Sequence, residues 1–183
     1  YTPDDIMNGA EPEGPVVVFD DDHYYMGGVI SERLRALGTE VVLVTPEVVA
    51  SAFTTYTLEQ SRVQARLMEA GIRIVAAHSL VSIGADVVEL RCTYTDRVSS
   101  IACTSVVLVT ALTANDALYT DLVQTEVADG DGEPRRIVRI GDCYAPGTIA
   151  AAVWSGHRCA REPFAEITDE VPFRLERVEI ADG

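Results

Sequence analysis

Three consecutive carboxylates, Asp20-Asp21-Asp22, follow the apolar run Val16 to Phe19 and precede His23-Tyr24-Tyr25. A buried strand, a turn and then a helix is the layout in which an α/β protein grips a dinucleotide. There a G-x-G-x-x-G turn lets backbone amides approach the pyrophosphate, which rests on the helix N-terminus. Here the strand and helix are present and the glycines are not. Counted forward from the strand, the glycine positions hold Asp20, Asp22 and Tyr25. Counted back from Gly38, they hold Asp22, Tyr24 and Gly27. Both registers stay open, and each lacks at least two glycines. The replacements oppose an anion. Each pair of like charges ~4 Å apart costs roughly 1 kcal/mol in bulk water, and more near a protein surface. Tyr24 and Tyr25 add bulk where the backbone must come close. The carboxylates are suited to capping the helix themselves. The second strand ends at Val44-Thr45-Pro46, with neither an acid for a ribose nor a base for its phosphate, although Glu47 is near. The turn is therefore expected to hold no dinucleotide.

Other chemistry is sparse. Three adjacent carboxylates rarely converge on one ion, and no glycine-spaced calcium loop follows, so no metal is expected. His23 is read as a solvated turn residue and His78 as isolated. Cys92, Cys103, Cys143 and Cys159 form no C-x-x-C pair and read as ordinary buried thiols. His157 and Arg158 share a stretch with Trp154 and read as helix packing and surface charge. No Ser-His-Asp or Cys-His arrangement can be drawn, so no catalytic residue is expected. A second constellation lies later: Gly141-Asp142, a strand end and turn, then Ala145-Pro146-Gly147-Thr148 at the start of a helix.

The elements that must position these residues follow from the apolar periodicity and the turn residues. Residues 1–14 are polar with Pro3, Gly9, Pro12 and Gly14, as a linker would be. Val16 to Phe19 and Val41 to Val44 are short, wholly apolar runs of the kind buried in parallel sheets. A helix from about Tyr24 to Leu37 joins them, with Val29, Ile30, Leu34 and Leu37 on one face, and stops at Gly38. Thr57-Leu58-Glu59-Gln60 fits a capping box, and the helix it opens is lined by Val63, Leu67 and Met68 and ends at Gly71. Strands are expected at Ile72 to Ala76, Ser79 to Ile83, Val87 to Tyr94 and Ser105 to Thr110, the middle ones as an antiparallel meander. Asn115 to Val123 reads as a short helix, Asp129 to Gly132 as a turn and Ile137 to Ile140 as a strand. A helix follows from about Thr148 to Arg161, with Pro146 suiting its start. A lone strand is expected near Phe173 to Ile180.

Composition bounds the partners. Among 183 residues the net charge is −15, which argues against nucleic acid and anionic membrane. All 14 basic residues are arginine, a bias that both a high-salt cytoplasm and a GC-rich genome produce. The 48% hydrophobic content suffices for a core. No apolar run approaches the ~20 residues of a membrane span. No leader is visible, although Tyr1 is not an initiator, and a cytoplasmic location is expected.

Residues Val16 to Pro46, Thr57 to Gly71, and Ile140-Gly141-Asp142-Cys143 through Ala145-Pro146-Gly147 to Gly156-His157-Arg158-Cys159-Ala160-Arg161-Glu162 resemble the C-terminal region of the trimethylamine and dimethylamine dehydrogenase family. That family is similar to the old-yellow-enzyme-like NADH:flavin oxidoreductases, including 2,4-dienoyl-CoA reductase. The resemblance implies an α/β fold: a Rossmann-like domain with a mainly parallel sheet, helices on both faces and an antiparallel β-meander, plus the C-terminal piece of an FAD-like domain. It implies a linker at 1–14, an NAD(P)-domain-like insert at 15–110, the returning FAD-like part at 111–162 and a tail at 163–183. The parent would carry FMN and a 4Fe-4S cluster in a barrel outside this chain, and would oxidise amines or reduce enoates. The chain would then be a non-catalytic fragment with no cofactor of its own. By the same resemblance, Gly141, Asp142, Ala145, Pro146, Gly147 and Thr148 would form half of an ADP or FAD site, with Asp142 at a sugar hydroxyl and the helix start at the phosphates. Its partners would be the missing barrel and FAD-like half, an electron-transfer protein and, in a homo-oligomer, a second copy of itself. A scaffold or docking module and a live NAD(P)H-binding reductase domain are the alternatives.

Overall fold

A computed structural model describes residues 1–128 and 137–162. Two compact units divide the chain, Tyr1–Ala111 and Leu112–Gly183.

The first unit is built on four parallel strands: β1 (Val16–Asp20), β2 (Val41–Val44), β3 (Arg73–Val75) and β7 (Ser105–Val109), in the order β3-β2-β1-β7. Every residue of β1 and β2 is buried, because apolar side chains leave both faces of a central parallel strand. Three helices lie on one face: α1 (Pro3–Met7), α2 (Met26–Ala36) and α3 (Gln60–Glu69). Ile6, Ile30, Leu34 and Leu67 pack there against Val16, Val18 and Leu43. The alternate residues Val17, Phe19, Val42 and Val44 point the other way. They meet Val88, Leu90 and, less deeply, Leu80 and Ile101. Those come from an antiparallel sheet of β4 (His78–Ile83), β5 (Val87–Cys92) and β6 (Val98–Ala102).

Several expectations change here. The second face of the parallel sheet is covered by the antiparallel sheet, not by helices, since β5 already offers an apolar face. The segment expected as a linker folds into α1, capped by Thr2 and Asp5, and buries Ile6 completely. Helix α2 begins two residues late, and Val29 and Leu37, expected inward, are 43% and 47% exposed. Met68, expected on the inner face of α3, is 63% exposed. The capping box does not form. Leu58 takes left-handed backbone (φ 62), Glu59 occupies the cap position, and the Gln60 side chain donates to the Ala50 carbonyl at 3.1 Å. The meander gains a third strand, β6, that the sequence reading missed.

The second unit holds α4 (Ala117–Ala128), a 3-10 turn at Gly141–Cys143 and α5 (Ile149–Arg161). No described residue of it is buried. Ile137 to Ile140 pairs with no strand among the described residues, although Ile140 is extended. A strand needs a neighbouring backbone to bond, and none of the described residues supplies one. Arg139 instead lies over the Tyr119 and Tyr144 rings at 4.7 and 5.7 Å and pairs with Asp116. Pro146 sits two residues ahead of the α5 cap, Thr148, and not in the first helical turn. The Asp129 to Gly132 turn and the Phe173 to Ile180 strand lie outside the described residues.

Candidate functional site

β1 delivers its last residue, Asp20, to the C-terminal edge of the parallel sheet, the edge at which open α/β sheets bind ligands. The strand stays paired with β7 to its end, and the Asp21 N–H donates to the Val109 carbonyl at 2.8 Å. The chain then turns through His23, a left-handed residue (φ 66), and starts α2. Asp20 is fully buried. Its Oδ1 accepts the His23 N–H at 3.2 Å. Burial pushes its pKa up to about 6, only partly offset by that hydrogen bond.

Gly27 explains how α2 comes so close. A Cβ there would lie 2.4 Å from Asp20 Cγ, so only hydrogen fits between helix and strand. That is the packing role of the last glycine in a dinucleotide turn. In the register counted back from Gly38, Gly27 takes the third place and Asp22 and Tyr24 the other two. Asp22 is exposed and Tyr24 half-buried. Tyr25 stands at the cap of α2 but its side chain caps nothing. The capping expected of the carboxylates does not occur, because the helix starts beyond their reach and Asp20 bonds the turn instead. The Tyr25 hydroxyl reaches Thr57 at 2.8 Å and donates to the Glu59 carboxylate, which this bond holds below its usual range.

Ser51 and Phe53, unremarked in the sequence, complete the edge together with His23. His23 is not a solvated turn residue: its side chain is 14% exposed and stacks edge-on to Phe53 with ring centroids 5.1 Å apart. Phe53 also meets Tyr24 edge-on at 5.5 Å. Ser51, fully buried and left-handed (φ 50), precedes Phe53. The overlooked signal was Phe53 and Tyr56 in a Thr-rich loop after the second strand. Glu47, the acid nearest that strand's end, is half-buried and accepts the Ala77 N–H on its carbonyl at 2.7 Å. His78 Nδ1 lies 2.7 Å from the Ala76 carbonyl, a local backbone contact. Of the cysteines only Cys103 is buried, and all four are free.

The second constellation is compact. Gly141 (φ 59) turns the chain, and its N–H donates to the Ser155 hydroxyl at 2.7 Å, tying the turn to α5. Asp142 is exposed, and its Oδ1 accepts the Gly147 N–H at 3.4 Å. Thr148 caps α5 by accepting the Ala151 N–H at 3.3 Å. Ala145 is exposed and Pro146 half-buried. A carboxylate beside a helix start is suited to sugar hydroxyls next to a phosphate. Farther along α5, Trp154, His157 and Arg158 are exposed, with the Arg158 guanidinium 5.4 Å from the Trp154 ring.

Residues 1–106 match the family model described as OYE-like second alpha/beta domain. Dimethylamine dehydrogenase of Hyphomicrobium sp. (strain x) is 26% identical over 199 residues, covering 96% of this chain and 26% of that protein. Among solved structures, histamine dehydrogenase from Rhizobium sp. 4-9 matches with a TM-score of 0.85 at 40% identity, covering 100% of this chain and 29% of that one. The 6-hydroxypseudooxynicotine amine oxidase (HisD) of Pseudomonas geniculata N1 matches with a TM-score of 0.78 at 38% identity, over 90% of this chain and 24% of its own. The chain thus spans about a quarter of the length of these relatives. They bear out the resemblance to the trimethylamine dehydrogenase type.

Proposed function

The chain belongs to the OYE-like second alpha/beta domain family, and from that premise we propose that it serves a flavin-dependent amine-oxidising enzyme as a nucleotide-domain scaffold that has lost its dinucleotide. The order β3-β2-β1-β7 is read as half of a Rossmann-like sheet. One observation carries the proposal. The Asp20 carboxyl lies buried under Gly27, where the backbone of a working turn would face pyrophosphate. The residues present do not fit that group: the Asp20 carboxyl is buried at the turn, and the next two residues, Asp21 and Asp22, are exposed carboxylates.

Chemistry would reside elsewhere in the parent, where FMN would accept hydride from the amine and a four-iron cluster would pass electrons on. Among the described residues no grouping of His, Cys, Asp and Glu could hold a metal ion. No described helix is long and apolar enough to cross a membrane. Asp142 and the α5 start fit the sugar and phosphate of an ADP or FAD, held jointly with residues outside this chain. A docking role for the second unit is the other reading, favoured by Ile149, Val153 and Trp154, which are 85%, 54% and 55% exposed along α5. The missing barrel and FAD-like half are the partners proposed for that face.

Calorimetric titration with NADH, NADPH, ADP and FAD tests the reading. No saturation is expected with NADH or NADPH, and at most weak binding with ADP or FAD. Micromolar NADH binding would overturn it.

A further inference from the structure

The turn after β1 and the loop after β2 meet in a run of aromatic rings. Phe53 stands edge-on to His23 at 5.1 Å and to Tyr24 at 5.5 Å, Tyr56 lies 6.3 Å from Phe53, and Tyr25 lies 6.4 Å from Tyr24. Rings with centroids this close are neighbours, so they form one continuous patch. Tyr25, Met26 and Phe53 are exposed, and Tyr56 and Leu58 stand out at 82% and 88%. The backbone beneath them is pinned. The Phe53 N–H donates to the His23 carbonyl at 2.9 Å and the Glu59 N–H to the Thr54 carbonyl at 3.0 Å. The Thr54 hydroxyl donates to the Ser51 carbonyl at 2.6 Å, and the Tyr25 hydroxyl reaches Thr57 at 2.8 Å. Leu58 is held in left-handed backbone (φ 62), which strains a residue with a Cβ, yet its side chain belongs to neither core.

Single exposed apolar residues are ordinary, but a joined patch of Tyr, Phe, Met and Leu with a polar rim has the composition of a protein interface. The patch is raised, not hollow. It suits insertion into the recesses of another protein and not the enclosure of a small molecule. Its rim sets the sign of the partner. Asp21 and Asp22 are exposed next to Tyr24, and the Tyr25 hydroxyl favours the ionised form of Glu59, which the charge of Arg62 also reaches. The chain's net charge of −15 adds to this field. Nucleic acid and anionic membrane are repelled, and so is a second copy of this chain, whose same carboxylates would meet across a two-fold axis. Arginine suits both parts of the surface, because its guanidinium pairs with carboxylates and stacks on tyrosine faces. Opposite charges speed the meeting of separate molecules, whereas a tethered domain is already held close by its linker.

We propose that Tyr24, Tyr25 and residues 53–58 form a docking surface for a separate protein whose contact face carries arginine among apolar side chains. Tyr56 and Leu58 are the apolar anchors, and Asp21, Asp22 and Glu59 are the charged rim. The proposal rests on the first turn holding no dinucleotide, since a bound one would lie against the same turn.

The test is amide-resolved NMR of the full 183-residue chain, titrated in parallel with an amphipathic peptide of alternating arginine and leucine, its uncharged citrulline counterpart, and NADH. The arginine peptide should give saturable shifts at Tyr24, Tyr25 and residues 53–58, and the citrulline peptide should bind about tenfold more weakly. Tyr56→Ser, at a side chain outside the core, should weaken binding of the arginine peptide about tenfold. Asp21→Asn combined with Asp22→Asn should weaken it about threefold and flatten its salt dependence. Glu69→Gln, at an exposed carboxylate on the far end of α3, should leave binding unchanged. Equal binding of the citrulline peptide, an equal loss with Glu69→Gln, or undiminished binding by Tyr56→Ser would each overturn the proposal. Shifts of the same amides with chain concentration alone would also overturn it, by making the occupant a second copy. In the full-length parent Tyr56 should stay open to nitration by tetranitromethane, and protection there would overturn the proposal by giving the surface to the parent's own domains. Shifts at Asp20 and Gly27 with NADH would instead overturn the reading of the turn itself, which a failure of the peptide alone leaves standing.

Discussion

Replacing Asp20 by asparagine should change how stability depends on pH, and the structure sets the size of the change. Asn keeps the shape and an oxygen for the His23 N–H but cannot ionise. In the folded chain the Asp20 pKa is about 6, against 3.8 ordinarily. The folded state therefore holds the proton more tightly than the unfolded one. The stability this contributes is fully present below the unfolded value and is lost as pH rises through about 6. A gap of about two units, at about 1.4 kcal/mol per unit, corresponds to about 3 kcal/mol. The difference in unfolding free energy between Asp20→Asn and the parent sequence should thus rise in favour of the variant from about pH 4 to pH 7, by about 3 kcal/mol, then level off. Urea unfolding followed by far-UV circular dichroism at intervals of about half a pH unit measures it. Carboxylates shifted the other way, such as Asp5 beside Thr2, act equally on both proteins and cancel in the difference. A flat difference across the range would refute the reasoning, since Asp20 would then titrate as an ordinary exposed carboxyl.

Three further outcomes follow from the contacts. Gly27→Ala should lower stability by about 1–3 kcal/mol in thermal unfolding, because the new Cβ meets Asp20 and the strand and helix must part; a neutral result would mean the gap is not tight. Tyr25→Phe removes the hydroxyl that holds Glu59 low, so the Glu59 carboxyl should titrate at higher pH in a carbon-detected NMR titration; no movement would show that the bond does not persist in solution. Thr148→Ala removes the side-chain cap of α5 and should cost that helix about 1 kcal/mol. Fluorescence of Trp154, the chain's one tryptophan and a residue of α5, reads the loss during urea unfolding, which should leave the protection of β1 amides unchanged.

Much of the frame was legible in the residues alone. The unbroken apolar runs at Val16 and Val41 form strands buried on both faces, and Gly38 and Gly71, at φ 90 and 73, end their helices as expected. The absence of a G-x-G-x-x-G pattern after Phe19 was equally plain, because it is read from residue types alone. Less was legible where local preference competes with packing. Thr57 to Gln60 has the composition of a capping box, yet the Tyr25 hydroxyl and the Ala50 carbonyl engage Thr57 and Gln60. The strand β6 was hidden because Val98-Ser99-Ser100-Ile101-Ala102 shows only Ile101 partly covered and leaves the rest to solvent. The meeting of the turn at His23 and Tyr24 with Phe53 belongs to tertiary structure. Spacing along the chain sets which side chains share a face of one element. It does not set which loops meet at a sheet edge, and that follows here from β1 lying between β2 and β7, with glycine letting α2 approach Asp20.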